Sequence, residues 1–107
     1  MNAKVIVANK AMADLGAIWK GVTKYHDDAS AYRTINALLD EAERLGQETT
    51  QRLGEQVDGF DGPPAREIYR WVCLAGRYEL HYEVLPAYAM QPATVAILRA
   101  SHARKDR

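Results

Sequence analysis

Between Gly76 and Leu85 the chain alternates strictly, with Tyr78, Leu80, Tyr82 and Val84 on one face and Arg77, Glu79, His81 and Glu83 on the other. A period of two is that of a strand with one buried and one wet side. The preceding run, Arg66-Glu67-Ile68-Tyr69-Arg70-Trp71-Val72-Cys73-Leu74, is rich in β-branched and aromatic residues, and only Ala75-Gly76 separates the two. A two-residue link ending in Gly is a hairpin signal. A third apolar run, Thr94 to Ser101, follows the loop holding Pro86 and Pro92, so the last third of the chain reads as an antiparallel three-strand meander.

Nearer the N-terminus, Val5-Ile6-Val7 predicts a short strand broken by Asn9-Lys10. From Ala11 the period changes: Met12, Leu15, Ile18 or Trp19, Val22 and Tyr25 recur every three or four residues, as on an amphipathic helix. Gly16 and Gly21 each cost that helix about 1 kcal/mol against Ala, so packing rather than propensity must hold it. His26-Asp27-Asp28 marks a turn, and Asp27 or Asp28 caps a second helix whose apolar face is Ala31 or Tyr32, Ile35, Leu38, Leu39, Ala42 and Leu45. Gly46 is placed to stop it. Residues 47–65 are polar and rich in Gly and Pro, which predicts a loop containing at most a frayed extension of the second helix.

The order strand, helix, helix, three strands predicts an α+β two-layer fold: an N-terminal strand and a helical hairpin packed on an antiparallel sheet completed by the C-terminal three-strand meander. One sheet face is covered by the hairpin and the other is left free for a partner. A length of 107 residues fits one domain spanning 1–107.

Composition narrows the function classes. Fourteen basic and fourteen acidic side chains cancel, so the molecule has no strong overall field to draw nucleic acid. The distribution is uneven, with Arg99, Arg104, Lys105 and Arg107 against Asp106 at the C-terminus, and Asp40, Glu41, Glu43, Glu48, Glu55, Asp58 and Asp61 against Arg44 and Arg52 in the middle. No apolar run approaches the roughly 20 residues of a membrane span, and the apolar stretch after Met1 is short for a signal peptide, so a cytoplasmic location is expected. The single Cys73 has no disulfide partner in the chain and lies in a strand, where a buried inert thiol is expected. His26-Asp27-Asp28 has no second Cys or His at ligand spacing, so neither a metal nor any other cofactor is expected. His81 reads as a cross-strand partner for a charge, and most of Trp19, Trp71, Tyr25, Tyr32, Tyr69, Tyr78 and Tyr82 as core rather than as an RNA-stacking surface.

In order and spacing, several stretches resemble the RelE/ParE superfamily of toxins from type II toxin–antitoxin modules. They are Ala13-Asp14-Leu15 followed by Ile18, the Pro-containing loop into Arg66-Glu67-Ile68, the strand Gly76-Arg77-Tyr78-Glu79-Leu80-His81-Tyr82, and the ending Ile97-Leu98-Arg99-Ala100-Ser101-His102-Ala103-Arg104-Lys105-Asp106. The resemblance implies a growth-inhibiting toxin neutralised by a cognate antitoxin, assembled with it as a hetero-oligomer, with a homodimer through the helices left open. It implies one of two activities: cleavage of messenger RNA on the ribosome by RelE-like members, or inhibition of DNA gyrase by ParE-like members that are not hydrolases. A non-toxic protein-binding domain of the same fold is the third reading.

Cleaving RNA at a 2′-hydroxyl needs a proton acceptor, a proton donor and cations on the phosphate. His102 with Arg99, Arg104, Arg77 and Arg70 are the candidates for that chemistry, and Arg66 is a further candidate clamp. Against it, the three strands contain no lysine, and the face with Arg77 also carries Glu79 and Glu83, which weaken polyanion binding. The ending resembles ParE-like tails more closely. Under that reading there is no catalytic residue, and Arg66, Arg77, His81, Arg99, His102, Arg104 and Lys105 are the candidates for contact with antitoxin or target.

Overall fold

The computed structural model describes residues 2–47, 53–57, 66–87, 90 and 92–103. The elements run β1 (Lys4–Val7), α1 (Asn9–Tyr25), α2 (Asp28–Leu45), β2 (Glu55–Gln56), β3 (Ile68–Cys73), β4 (Tyr78–Leu85) and β5 (Thr94–His102). They form one sheet in the order β1-β5-β4-β3-β2 with both helices on one side. The α+β two-layer architecture and the C-terminal meander are as the patterning implied. One detail differs: β1 lies parallel to β5, Lys4 opposite Thr94 and Val7 opposite Ile97, so the sheet is mixed rather than wholly antiparallel. A helical hairpin between β1 and the meander carries the chain across the sheet, the crossover that parallel pairing needs.

Helix α1 starts at Asn9, two residues before its hydrophobic period, because the Met12 amide donates to the Ala8 carbonyl (2.9 Å). Ala11 and Ile18 are buried, while Met12 and Tyr25, expected on the apolar face, are exposed. On α2 the Asp27 carboxylate accepts the Ser30 amide at 2.7 Å, settling which aspartate is the cap. Ala31, Leu38, Ala42 and Leu45 are buried; Tyr32 and Leu39 are exposed. Trp19 and Tyr32 meet edge to face across the hairpin (4.6 Å, 80°). Gly46 ends α2 with ordinary negative φ, and its smallness serves packing: a Cβ there would run into the Val5 side chain, and the Gly46 carbonyl takes the Ala3 amide at 2.7 Å.

Within residues 47–65, read as a loop, the described part contains β2, paired antiparallel to β3 with Glu55 opposite Arg70. Gly54 makes that docking possible, since its φ is +94° and a Cβ would collide with the Arg70 backbone. The β3–β4 connection is four residues, 74–77, rather than two, with Leu74, Ala75 and Gly76 all at positive φ (54°, 59° and 82°). Two of these lack glycine's freedom, a strain of about 1–2 kcal/mol each.

The core under the helices is Tyr82, Leu38, Leu45, Leu80 and Val95, each less than 2% exposed, with Ile97 and Ala100 alongside. Full burial of one such side chain contributes roughly 1.5–3 kcal/mol. Tyr82 stacks on Tyr69 (5.5 Å, 26°) and its hydroxyl donates to the Leu53 carbonyl, which ties the segment before β2 to the core. The sheet's other face, expected to be free, is partly covered: Ile68, Ala96 and Glu79 are 2%, 6% and 3% exposed, while Arg70 and His81 between them are half-buried and Val72 is exposed.

Candidate functional site

The β4–β5 ladder slips between His81 and Tyr82, which face Arg99 and Ile97, so Leu98 is an extra residue on β5. Such a bulge swaps the faces of the residues beyond it, which is why both Ile97 and Ala100 reach the core. It also coincides with the end of β1, leaving the second half of β5 as a free edge. The Asp14 carboxylate of α1 closes that edge: Oδ2 accepts the Ala100 amide at 2.9 Å and the Arg99 Nε–H at 2.8 Å, while Oδ1 accepts Arg99 Nη2–H at 3.1 Å. The Arg99 guanidinium holds the Asp14 carboxyl below its ordinary pKa, partial burial opposes the shift, and the Ala100 amide adds to it.

Two more ion pairs cross the outer sheet face. Arg66 donates Nε–H and Nη2–H to the two oxygens of Glu83 at 3.0 and 2.8 Å, a bidentate pair. Arg70 Nη1–H donates to Glu79 Oε2 at 2.7 Å, with Glu55 4.0 Å from its other terminal nitrogen. A carboxylate as buried as Glu79 needs such a partner. On the helix side, Trp71 donates its indole N–H to Glu41 at 2.9 Å, joining β3 to α2. Cys73 is buried, and burial, with a smaller contribution from the Glu41 charge, pushes its thiol up to about 11.

The candidate contact residues are therefore dispersed. His81 stands opposite Arg70 on β3 and Arg99 on β5, half-buried in mid-sheet. Arg66 lies beside Glu83 at the far end of β4. Arg77 and His102 share the opposite end: the Ala103 amide donates to the Arg77 carbonyl at 2.9 Å, and the exposed His102 ring lies over Tyr78 (4.8 Å, 31°). Arg104 and Lys105 lie outside the described residues. Of the arginines expected to offer charge, Arg66, Arg70 and Arg99 are each engaged by a carboxylate, and among the described residues His102 has no ion-paired or hydrogen-bonded side chain set around it that resembles a general acid–base constellation.

Two contacts of this surface were not read from the sequence. One is Asp14, whose signal was present as the sole acid in α1. The other is Arg33, which joins Arg77 on the rim of a cleft of about 590 Å³ between the α1–α2 connection and the β3–β4 turn. Nothing in local spacing links residues 33 and 77; only the fold does. Among the described residues no three His, Cys, Asp or Glu side chains gather as metal ligands, and no helix is long and apolar enough to cross a membrane.

These elements define a RelE/ParE-like α+β fold, a helical hairpin on a sheet whose last strand is flanked by the first. A chain of the chromosomal ParDE toxin–antitoxin system from P. aeruginosa matches it with a TM-score of 0.64, over 95% of this chain and 97% of its own, at 17% identity. At that identity the likeness is one of fold. A cytoplasmic leucine–tRNA ligase of Neurospora crassa is 32% identical over 75 residues, 70% of this chain, but the chain spans only 7% of that enzyme's length. No protein-family model matches the sequence.

Proposed function

We propose that this chain is the toxin of a type II toxin–antitoxin module, a single domain acting in the cytoplasm. It inhibits growth by ParE-like poisoning of DNA gyrase and is neutralised by a cognate antitoxin. The observation that carries the reading is the end-to-end fold match to a chain of a ParDE system. The choice of gyrase over messenger RNA is supported by the charge arrangement. A ribonuclease needs cations left available for phosphate around its acid and base, whereas Arg66, Arg70 and Arg99 are neutralised by Glu83, Glu79 and Asp14. Contact with antitoxin or target is assigned to Arg66, Arg77, His81, Arg99, His102, Arg104 and Lys105, with Arg77 and His102 the pair that share one end of the sheet.

Expression without an antitoxin tests the reading directly. Gyrase poisoning produces double-strand breaks and an SOS response in the cell, and loss of supercoiling activity when purified protein is added to gyrase. If translation stops first, with cleaved messages, and His102→Ala abolishes the effect, the chain is a nuclease instead. If expression leaves growth unchanged, it is a non-toxic binding domain.

A further inference from the structure

Past Ile97 the outer edge of β5 has no strand beside it among the described residues, because β1 pairs only as far as Val7 and the bulge at Leu98 follows. Two residues of that stretch turn their peptide groups outward. The Ala100 amide does so, since the Asp14 carboxylate of α1 accepts it at 2.9 Å. His102 does so by alternation, since the next amide, that of Ala103, points inward to the Arg77 carbonyl at 2.9 Å. Asp14 therefore stands where a neighbouring strand would place a carbonyl, and its pairing with Arg99 fixes the carboxylate there. The other two edges of the sheet are blunted by shortness and charge, β1 with four residues that include Lys4 and β2 with only Glu55-Gln56. Three and seven residues on from Asp14, on the same side of α1, come Ala17 and Gly21, both exposed and the second with open space around it. The helix thus brings no bulk to the edge beyond the carboxylate itself.

We propose that Asp14 is an edge guard, a side chain that keeps the second half of β5 from pairing with the same edge of a second copy of this chain. The strand itself selects that occupant. An antiparallel pair with its two-fold axis at Ser101 sets Ala100 of each copy opposite His102 of the other, so that both outward-facing residues of both copies exchange their backbone bonds. Arg99 then meets Ala103, and only Ser101 meets itself, so no like charges oppose each other across the pair. A strand of another sequence would gain the same backbone bonds, but nothing on β5 selects it. An unguarded edge of this kind is a template for self-association. The guard leaves the end of β5 that carries His102 available to other partners, and it operates whether or not the chain is a toxin.

The test is the mass in solution, by light scattering after size exclusion, of the full chain and its variants at one protein concentration. Asp14→Ala is expected at twice the wild-type mass. Asp14→Asn, which keeps an acceptor for the amide, and Arg99→Ala, which leaves the carboxylate on it, are expected at the wild-type mass. Adding His102→Pro to Asp14→Ala removes an outward N–H at a strand edge, where proline is tolerated, and should restore the wild-type mass. Ser101→Cys reports the register, because residues facing each other in a non-hydrogen-bonded pair lie about 4.5 Å apart at Cα, within disulfide reach. Combined with Asp14→Ala it should give a disulfide-linked dimer on adding an oxidant, and with Asp14 in place it should stay a thiol; Cys73 is buried. Circular dichroism checks the fold, and a Gly16→Ala background, where the added methyl meets open space, supports any variant that melts too low. Without any substitution, the wild-type His102 amide should exchange about tenfold or more faster than the Ala100 amide. The proposal is overturned if folded Asp14→Ala keeps the wild-type mass, if the proline variant associates as strongly as Asp14→Ala alone, or if Ser101→Cys cross-links equally with and without Asp14. Equal protection of the two wild-type amides overturns it as well.

Discussion

Replacing Asp14 by Ala removes, in one step, an acceptor for a strand-edge amide and the anionic half of a two-point ion pair. The two losses differ in size. The Ala100 amide is part-buried where β1 has ended, and a hydrogen bond to a charged acceptor at such a site contributes about 1.5–3 kcal/mol. Arg99 is half exposed, and pairs of that kind contribute about 0.2–1 kcal/mol. Asp14→Ala should therefore cost about 2–3 kcal/mol, most of it from the amide, and Arg99→Ala at most about 1 kcal/mol. For a domain near 100 residues each kcal/mol moves Tm by roughly 4 °C or more, so the first variant should melt about 8–12 °C lower. Asp14→Asn keeps an acceptor and should fall between the two. Urea unfolding of the two single variants and the double variant closes a cycle that isolates the pair. The sign of the pH dependence follows from the depressed carboxyl. Its contribution is complete above the ordinary value of 3.8 and is lost as pH falls through the lower folded value, so the gap between wild type and Asp14→Ala should stay constant from neutrality to about pH 5 and close under stronger acid. An Arg99→Ala penalty equal to that of Asp14→Ala would show that the ion pair, not the strand edge, is what Asp14 serves.

Four further outcomes are expected. Gly54→Ala should cost more than about 1 kcal/mol and speed amide exchange at Val57, whose N–H donates to the Ile68 carbonyl, because φ of +94° and the Arg70 backbone both exclude a Cβ; Gly16→Ala, with open space around it, should stabilise by about 1 kcal/mol in the same urea titration. Ala75→Gly should raise stability by about 1 kcal/mol by relieving a left-handed non-glycine residue, and an unchanged denaturation midpoint would mean the turn is unstrained. With its thiol raised to about 11 and its side chain buried, Cys73 should resist a thiol-titrating disulfide reagent at neutral pH until denaturant is added, and rapid labelling of folded protein would contradict the burial.

What the chain declares locally, the fold honours. The alternation at Tyr78, Leu80, Tyr82 and Val84 puts those four side chains in the core because a half-buried strand has one arrangement that hides them. The 3–4 spacing of Leu38, Ala42 and Leu45 does the same for α2. Met12, Tyr32 and Leu39 escape the pattern because a two-layer fold offers each helix a single contact stripe, narrower than the apolar residues available. What eluded sequence reading was long-range: the parallel pairing of β1 with β5 from opposite ends of the chain, the docking of β2 through Gly54, and the bulge at Leu98. None of these changes residue periodicity enough to be seen without the partner strand.

The same distance effect decides how the charges should be understood. By sequence, Arg66, Arg70, Arg77 and Arg99 are equivalent cations on or near one wet face, and a binding surface spread over the sheet follows. In the fold, three of the four meet carboxylates that lie 9 to 85 residues away, which turns them into cross-links between β3, β4, β5 and α1. A guanidinium already bonded to two oxygens must break that pair before it can hold a ligand, a loss each ligand contact would have to exceed. Arg77 has no such pair to break among the described residues, and the fold sets Arg33, from a helix much earlier in the chain, on the same cleft. Neutralising Arg66 or Arg70 should therefore lower the urea midpoint, and any effect on contact with antitoxin or target is to be read against that loss, whereas neutralising Arg77 should leave the midpoint unchanged.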